Sequence, residues 1–130
     1  MIEYSRGCAG STGALGIRTT TTPFLGNGQF TYGLQGARPN SSAALYWALA
    51  AGDVPIQGCN FAISQITVAQ PAQTDGTGGV DLLLAIPNVP TTLGVSLFTQ
   101  WLVVDPGAPG LFSIGGAAMS HGVELRLGAP

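Results

Sequence analysis

Residues 94–107, GVSLFTQWLVVDPG, decide the fold. Read as a strand, the stretch puts Val95, Leu97, Thr99, Trp101 and Val103 on one face. Ser96, Phe98, Gln100, Leu102 and Val104 fall on the other, because successive side chains of a strand point to opposite sides. Both faces are largely apolar. A strand of that kind lies centrally in a sheet, covered on one side and partly on the other. The turn chemistry of Asp105-Pro106-Gly107 ends it. Trp101 therefore reads as core, with a stacking platform for a ligand as the alternative.

Period-two patterning recurs on either side of this stretch. Val123, Leu125 and Leu127 alternate with Glu124 and Arg126. Val80, Leu82, Leu84 and Ile86 share a face as far as Pro87, which has no N–H to give a ladder. Residues 30–35 alternate likewise, and residues 15–22, 61–69 and 111–114 are further strand candidates. Thr19, Thr20, Thr21 and Thr22 are β-branched and favour a strand. Residues 41–51, SSAALYWALAA, admit a short helix capped by Ser41. The β pattern around them and the pair Tyr46-Trp47 favour a strand. Gly, Pro, Asn and Asp mark turns at residues 26–28, 38–40, 75–79 and 87–90. About eight short strands so spaced predict an all-β fold, an antiparallel β-sandwich or jelly roll. At 130 residues the chain has the size of one domain, spanning residues 1–130.

Charge is scarce. Four basic and six acidic residues make up 8% of the chain, with no lysine, against about 25% in an average domain. Gly, Thr, Ser, Asn and Gln must do most of the solvation. That suits a secreted or cell-surface domain, or a subunit whose surface is covered by neighbours. A net charge of −2 and four scattered arginines, Arg6, Arg18, Arg38 and Arg126, exclude nucleic acid and anionic membranes as partners. No run of 18 apolar residues exists for membrane insertion. Residues 1–4 lack the basic and apolar regions of a signal peptide. A secreted chain is then expected to have lost its signal or to be excised from a longer one.

Cys8 and Cys59, 51 residues apart, both follow glycine. Two free thiols are one reading. The other is a disulfide, which restricts the unfolded chain by about 4 kcal/mol in the entropy account and belongs in an oxidising compartment.

Catalytic chemistry is hard to find. His121 follows Ser120, but adjacent strand residues point apart, so the two do not make a catalytic pair. Asp53, Asp75, Asp81 and Asp105 show no spacing that favours a two-carboxylate site. Asp75, in TDGTG, is a weak calcium candidate without the acidic density of a dedicated loop. Residues 7–13 are glycine-rich but lack the lysine of a phosphate loop. The chain is expected to be no enzyme and to carry no cofactor.

An ordered set of landmarks spans nearly the whole chain. Tyr4-Ser5-Arg6-Gly7-Cys8 opens it, followed by Pro23-Phe24-Leu25-Gly26-Asn27, Gly36-Ala37-Arg38-Pro39 and Gly58-Cys59. Thr74-Asp75, Ile86-Pro87, Leu93-Gly94, Gln100-Trp101 and Ser120-His121-Gly122-Val123 complete it. In this it resembles a Gly/Cys-rich C-terminal β domain of large secreted or surface proteins of environmental bacteria. Arg6 and His121 depart from that pattern, where glycine and asparagine are commoner. The resemblance implies a secreted, disulfide-closed β domain appended to hydrolases, peptidases or adhesin-like chains, and no activity.

Two functions follow as expectations. The first is a non-catalytic extracellular binding or adhesion module for carbohydrate or another surface polymer. Its ligand-binding candidates are Trp47, Tyr32, Gln100 and Trp101, since aromatic faces stack on sugars beside amides. Trp47 is the better platform of the two tryptophans, with Tyr46 turned to the core. The second is a structural, self-assembling surface subunit or homo-oligomer, because edges without lysine are poorly protected against pairing. A C-terminal sorting domain is a variant of it.

Overall fold

The quoted stretch becomes the central strand of a computed structural model, which describes residues 2–5, 7–56, 59–107 and 116–129, the side chains of residues 56, 59 and 60 excepted. Nine strands are described. In chain order they are β1 (Ile2–Glu3), β2 (Gly16–Thr19), β3 (Thr31–Gln35), β4 (Ser42–Ile56) and β5 (Cys59–Gln73). β6 (Val80–Leu83), β7 (Ser96–Val104), β8 (Ala117–Met119) and β9 (Val123–Arg126) follow. A six-stranded sheet has the order β1-β9-β7-β4-β5, with β8 also on β7; the second sheet has the order β2-β3-β6. All the strand pairs are antiparallel. This is the expected antiparallel sandwich. The candidate strand at residues 111–114 lies outside the described residues. No helix among the described residues is long and apolar enough to cross a membrane.

Residues 41–51 take the strand reading. As a helix they would make about three turns, marginal on their own. Within β4 they pair with β7 from Ala43 to Ala48 and with β5 along nearly their whole length. On the far side of β7, β9 and β8 lie end to end. Ser120 bridges the break between them. Its N–H donates to Trp101 O at 3.0 Å, and its Oγ accepts from Trp101 N–H at 2.9 Å.

The inner faces meet across Trp101 and Tyr32. The two rings stack with centroids 6.5 Å apart and planes at 21°. Leu34, Leu45, Val103, Val123 and Leu125 pack around them. Tyr32 also reaches across the sandwich through its hydroxyl, 2.5 Å from Thr99 Oγ1. Thr99 in turn donates to Val123 O at 3.2 Å, so the relay runs from Tyr32 Oη through Thr99 into β9. Burial raises the Tyr32 phenol above its ordinary value, although the Thr99 bond works the other way.

The outer face of β7 is covered by the chain itself. The β4–β5 hairpin changes register twice, between Trp47 and Ala48 and between Ala51 and Val54. Thr67 is the extra residue of the first irregularity; Gly52 and Asp53 share the second. Such bulges bend and twist a hairpin. The bent arm brings Ala62 against β7, where its N–H donates to Gln100 Oε1 at 3.0 Å. Tyr4 Oη donates to Ala62 O at 2.6 Å, and the Tyr4 ring meets Phe98 edge-on at 5.7 Å. Burial, with Glu124 nearby, pushes the Tyr4 phenol up to about 12. Both faces of residues 95–103 thus find at least partial cover, as their sequence requires.

Trp101→Ala is expected to cost about 3–5 kcal/mol, the range for removing a buried large ring. Thermal melting with denaturant titration checks it; an unchanged midpoint would return Trp101 to the surface.

Candidate functional site

The predicted ligand residues part company in the fold. Trp101 and Tyr32 are wholly buried and Gln100 is 1% exposed. None of these three can stack on or bind a ligand from solvent, which corrects their place in the expected site. Gln100 is spent on the main chain: its Nε2 donates to Ser120 O at 3.0 Å, besides the bond from Ala62. Trp101 Nε1 has no hydrogen-bond partner among the described residues. An unsatisfied donor costs about 1–3 kcal/mol. Burying a ring of about 150–250 Å² gains about 4–6 kcal/mol, so the ring stays inside.

Trp47 is different. It is half-buried, and its ring lies 5.9 Å from that of Tyr32 at 46°. Its other side lines a cavity of about 330 Å³. Trp47, Ala48, Leu97 and Leu125 form the wall from the larger sheet; Phe30, Leu84 and Ile86 form the opposite wall. Thr67 and Val68 border it at the edge strand β5, and Pro23 and Pro87 lie at its ends. No ionisable side chain lines it. The Thr67 bulge lies directly beside this wall, opposite Trp47 and Ala48. Tyr46, expected in the core, is half-buried instead. The sequence reading missed the cleft because its residues come from seven separate segments; the isolated Thr67 gave no signal.

The polar candidates are used within the fold. Asp75 Oδ1 accepts from Thr77 N–H at 2.8 Å, Thr77 Oγ1 at 2.7 Å and Gly79 N–H at 3.0 Å. Those donors, Thr77 hydroxyl first, hold its carboxyl down at about 2. The carboxylate ties its own turn, and no group of three metal-ligating side chains exists among the described residues. At the weak calcium candidate Asp75, Oδ1 is thus committed to its own turn.

Asp105 is 0% exposed. Burial raises its carboxyl, but three hydrogen bonds outweigh that and lower it. They come from Ser11 N–H at 2.8 Å, Ser11 Oγ at 2.9 Å and Gly107 N–H at 3.0 Å. His121 Nδ1 sits 2.5 Å from Ser5 O and 3.2 Å from Gly7 N. Ser120 is 1% exposed, and its Oγ donates to His121 O at 3.0 Å. Neither the ring nor the hydroxyl is aimed at the other.

No free cysteine occurs among the described residues. A bond from Cys8 to Cys59 falls on a side chain outside them. Cys8 packs against Ala117 and Met119 together with Phe61, two residues beyond Cys59. Compared with family models, with curated proteins and with solved structures, the chain matches none.

The two lowered carboxyls fix the acid response. Each binds protons more readily in the unfolded chain than in the fold. Their contribution is complete above the ordinary carboxylate value of 3.8 and is lost as pH falls through the folded values, toward about 2 for Asp75. The melting temperature is therefore expected to drop on acidification through this window. Asp105→Asn should lower it at pH 7 and flatten the acid limb.

Proposed function

We propose that the chain is a non-catalytic binding module whose contact site is the Trp47 cleft. The observation that carries this reading is an apolar cavity of about 330 Å³, at the lower end of the roughly 300–1,000 Å³ of ligand sites. An aromatic ring lines it from inside the sandwich. Of the surface polymers open to such a module, an apolar one suits these walls better than a polysaccharide. Sugar recognition needs amides or carboxylates beside the ring, and here Gln100 and Asp105 are buried.

Scarce charge supports a secreted or cell-surface setting, and a disulfide from Cys8 to Cys59 is part of the same proposal. The shared packing of Cys8 and Phe61 brings the two segments together. A secreted β domain within a larger surface protein remains part of this proposal. A self-assembling subunit is the second reading, favoured by β5: its 15 residues include no charged side chain, and Ile66 and Val68 are 45% and 49% exposed on it.

Fluorescence titration against soluble polysaccharides and against 1-octanol tests the module. Trp47→Ala is expected to abolish binding while costing less stability than Trp101→Ala. Binding that survives Trp47→Ala would move the site elsewhere. Thiol titration of the unfolded, unreduced chain should find no reactive thiol, and two would remove the support for an oxidising compartment. Concentration-dependent sedimentation would favour the self-assembling subunit.

A further inference from the structure

The cleft is bordered on the smaller sheet by residues 84–87, which follow β6, and on the larger sheet partly by Thr67 and Val68 of the edge strand β5. On the smaller sheet, Leu84 N–H donates to Phe30 O at 2.8 Å and Ile86 N–H to Asn27 O at 2.9 Å. Residues 84–86 thus continue β6 along the chain before β3. Groups facing a partner strand alternate along an antiparallel edge, so Asp81, Leu83 and Ala85 turn their N–H and C=O groups away. Among the described residues none accepts a hydrogen bond from Ala85 N–H. Ala85 also lines the cleft beside Leu84 and Ile86, so free main-chain groups and apolar wall lie side by side.

The other bordering edge is less suited to pairing. β5 carries the Thr67 bulge and Pro71, and both devices blunt an edge. Residues 81–85 have neither until Pro87. Their single charge, Asp81, is tied to Arg18 Nε at 2.8 Å. Leu83 is 59% exposed.

We infer that the occupant of the cleft is an extended polypeptide strand of a partner protein, uncharged and apolar at alternate positions. It adds to the β6 edge at residues 81–85 and lowers its apolar side chains into the cleft against Trp47. This rests on the reading of the cleft as the binding site. Strand addition draws affinity from main-chain hydrogen bonds and specificity from pockets for alternate side chains. A lipid tail would use the apolar walls and leave the free amides unpaired. A sugar would find the amides but no polar wall.

The test titrates the 130-residue chain with the peptide Ac-Thr-Val-Thr-Val-Thr-Val-Thr-NH2, with the same peptide N-methylated at alternate amides, and with 1-octanol. Tryptophan fluorescence reports binding, and a Trp47→Phe variant assigns the signal. Saturable binding of the parent peptide is expected. N-methylation should weaken it about tenfold or more, the scale of one or two lost hydrogen bonds. Ala85→Pro removes a donor that the fold does not use. It should weaken the peptide similarly, leave octanol binding unchanged and leave the melting temperature close to that of the parent. Octanol binding without peptide binding, or equal binding of both peptides, overturns the strand occupant while the cleft remains a site. No binding of any of the three overturns both readings.

Discussion

The contact between Tyr32 and Trp101 joins the two sheets, and most of the structure is arranged to keep it dry. Tyr32 spans the sandwich with an apolar ring and a polar tip. A buried tyrosine needs a partner for that tip, and Thr99 meets it while passing a proton donor on to Val123 O. The relay fixes the depth at which the smaller sheet rides over β7 and β9. Trp101 then fills the space beneath Tyr32. Leu45 is its cross-strand neighbour on β4, so one ring touches both sheets and three strands. The unpartnered indole N–H is tolerated because the area buried outweighs one lost hydrogen bond.

Scarcity of charge has a counterpart inside. The buried polar side chains include Gln100, Asp105, Ser120, Thr74 and Asn27, and each is spent on main-chain groups. Gln100 fastens the bent hairpin to β7. Asp105 fastens Ser11 to the end of β7, and Ser120 completes the ladder where β8 gives way to β9. Thr74 links the end of β5 to the start of β4, accepting from Ser41 N–H at 2.8 Å and donating to Arg38 O at 2.7 Å. Asn27 Nδ2 donates to Thr22 O at 2.7 Å. Irregular segments that a larger charged domain would leave in water are thereby stitched to the sheets. Buried polar groups of this kind cost little when every partner is present and much when one is lost.

Much of the sandwich was legible because alternation and turn chemistry are local. Residues 80–86, 95–104 and 123–127 each declare an inner face, and the structure turns those faces inward, fully burying Thr99, Trp101, Val103, Val123 and Leu125 and half-burying Val80, Leu82, Leu84 and Ile86. What stayed illegible is what long-range geometry creates. Gln100 stands on the more polar face of its strand, next to a tryptophan, and so resembles a binding amide. The returning Ala62 N–H, 38 positions earlier, and Ser120 O, 20 positions later, make it a structural group. Asp75 sits in a sequence that suits either a cation or a turn, and Thr77 and Gly79 tie its Oδ1 into the turn. The cleft had no local signature, since its walls are ordinary core residues left uncovered.

Why they are left uncovered follows from the two tryptophans. Trp101 and Trp47 both face the interior from neighbouring strands, β7 and β4. Trp101 lies where β3 crosses above it, and Tyr32 closes over its ring. Trp47 lies opposite the Thr67 bulge of β5, where its ring meets Tyr32 and also lines the cleft. The apolar residues there remain half-buried rather than becoming polar, although polar side chains would be the simple remedy for an exposed wall. An uncovered apolar wall beside free main-chain groups is an aggregation hazard in a lone sandwich. It is a complementary surface for a strand that supplies both the missing side chains and the missing ladder.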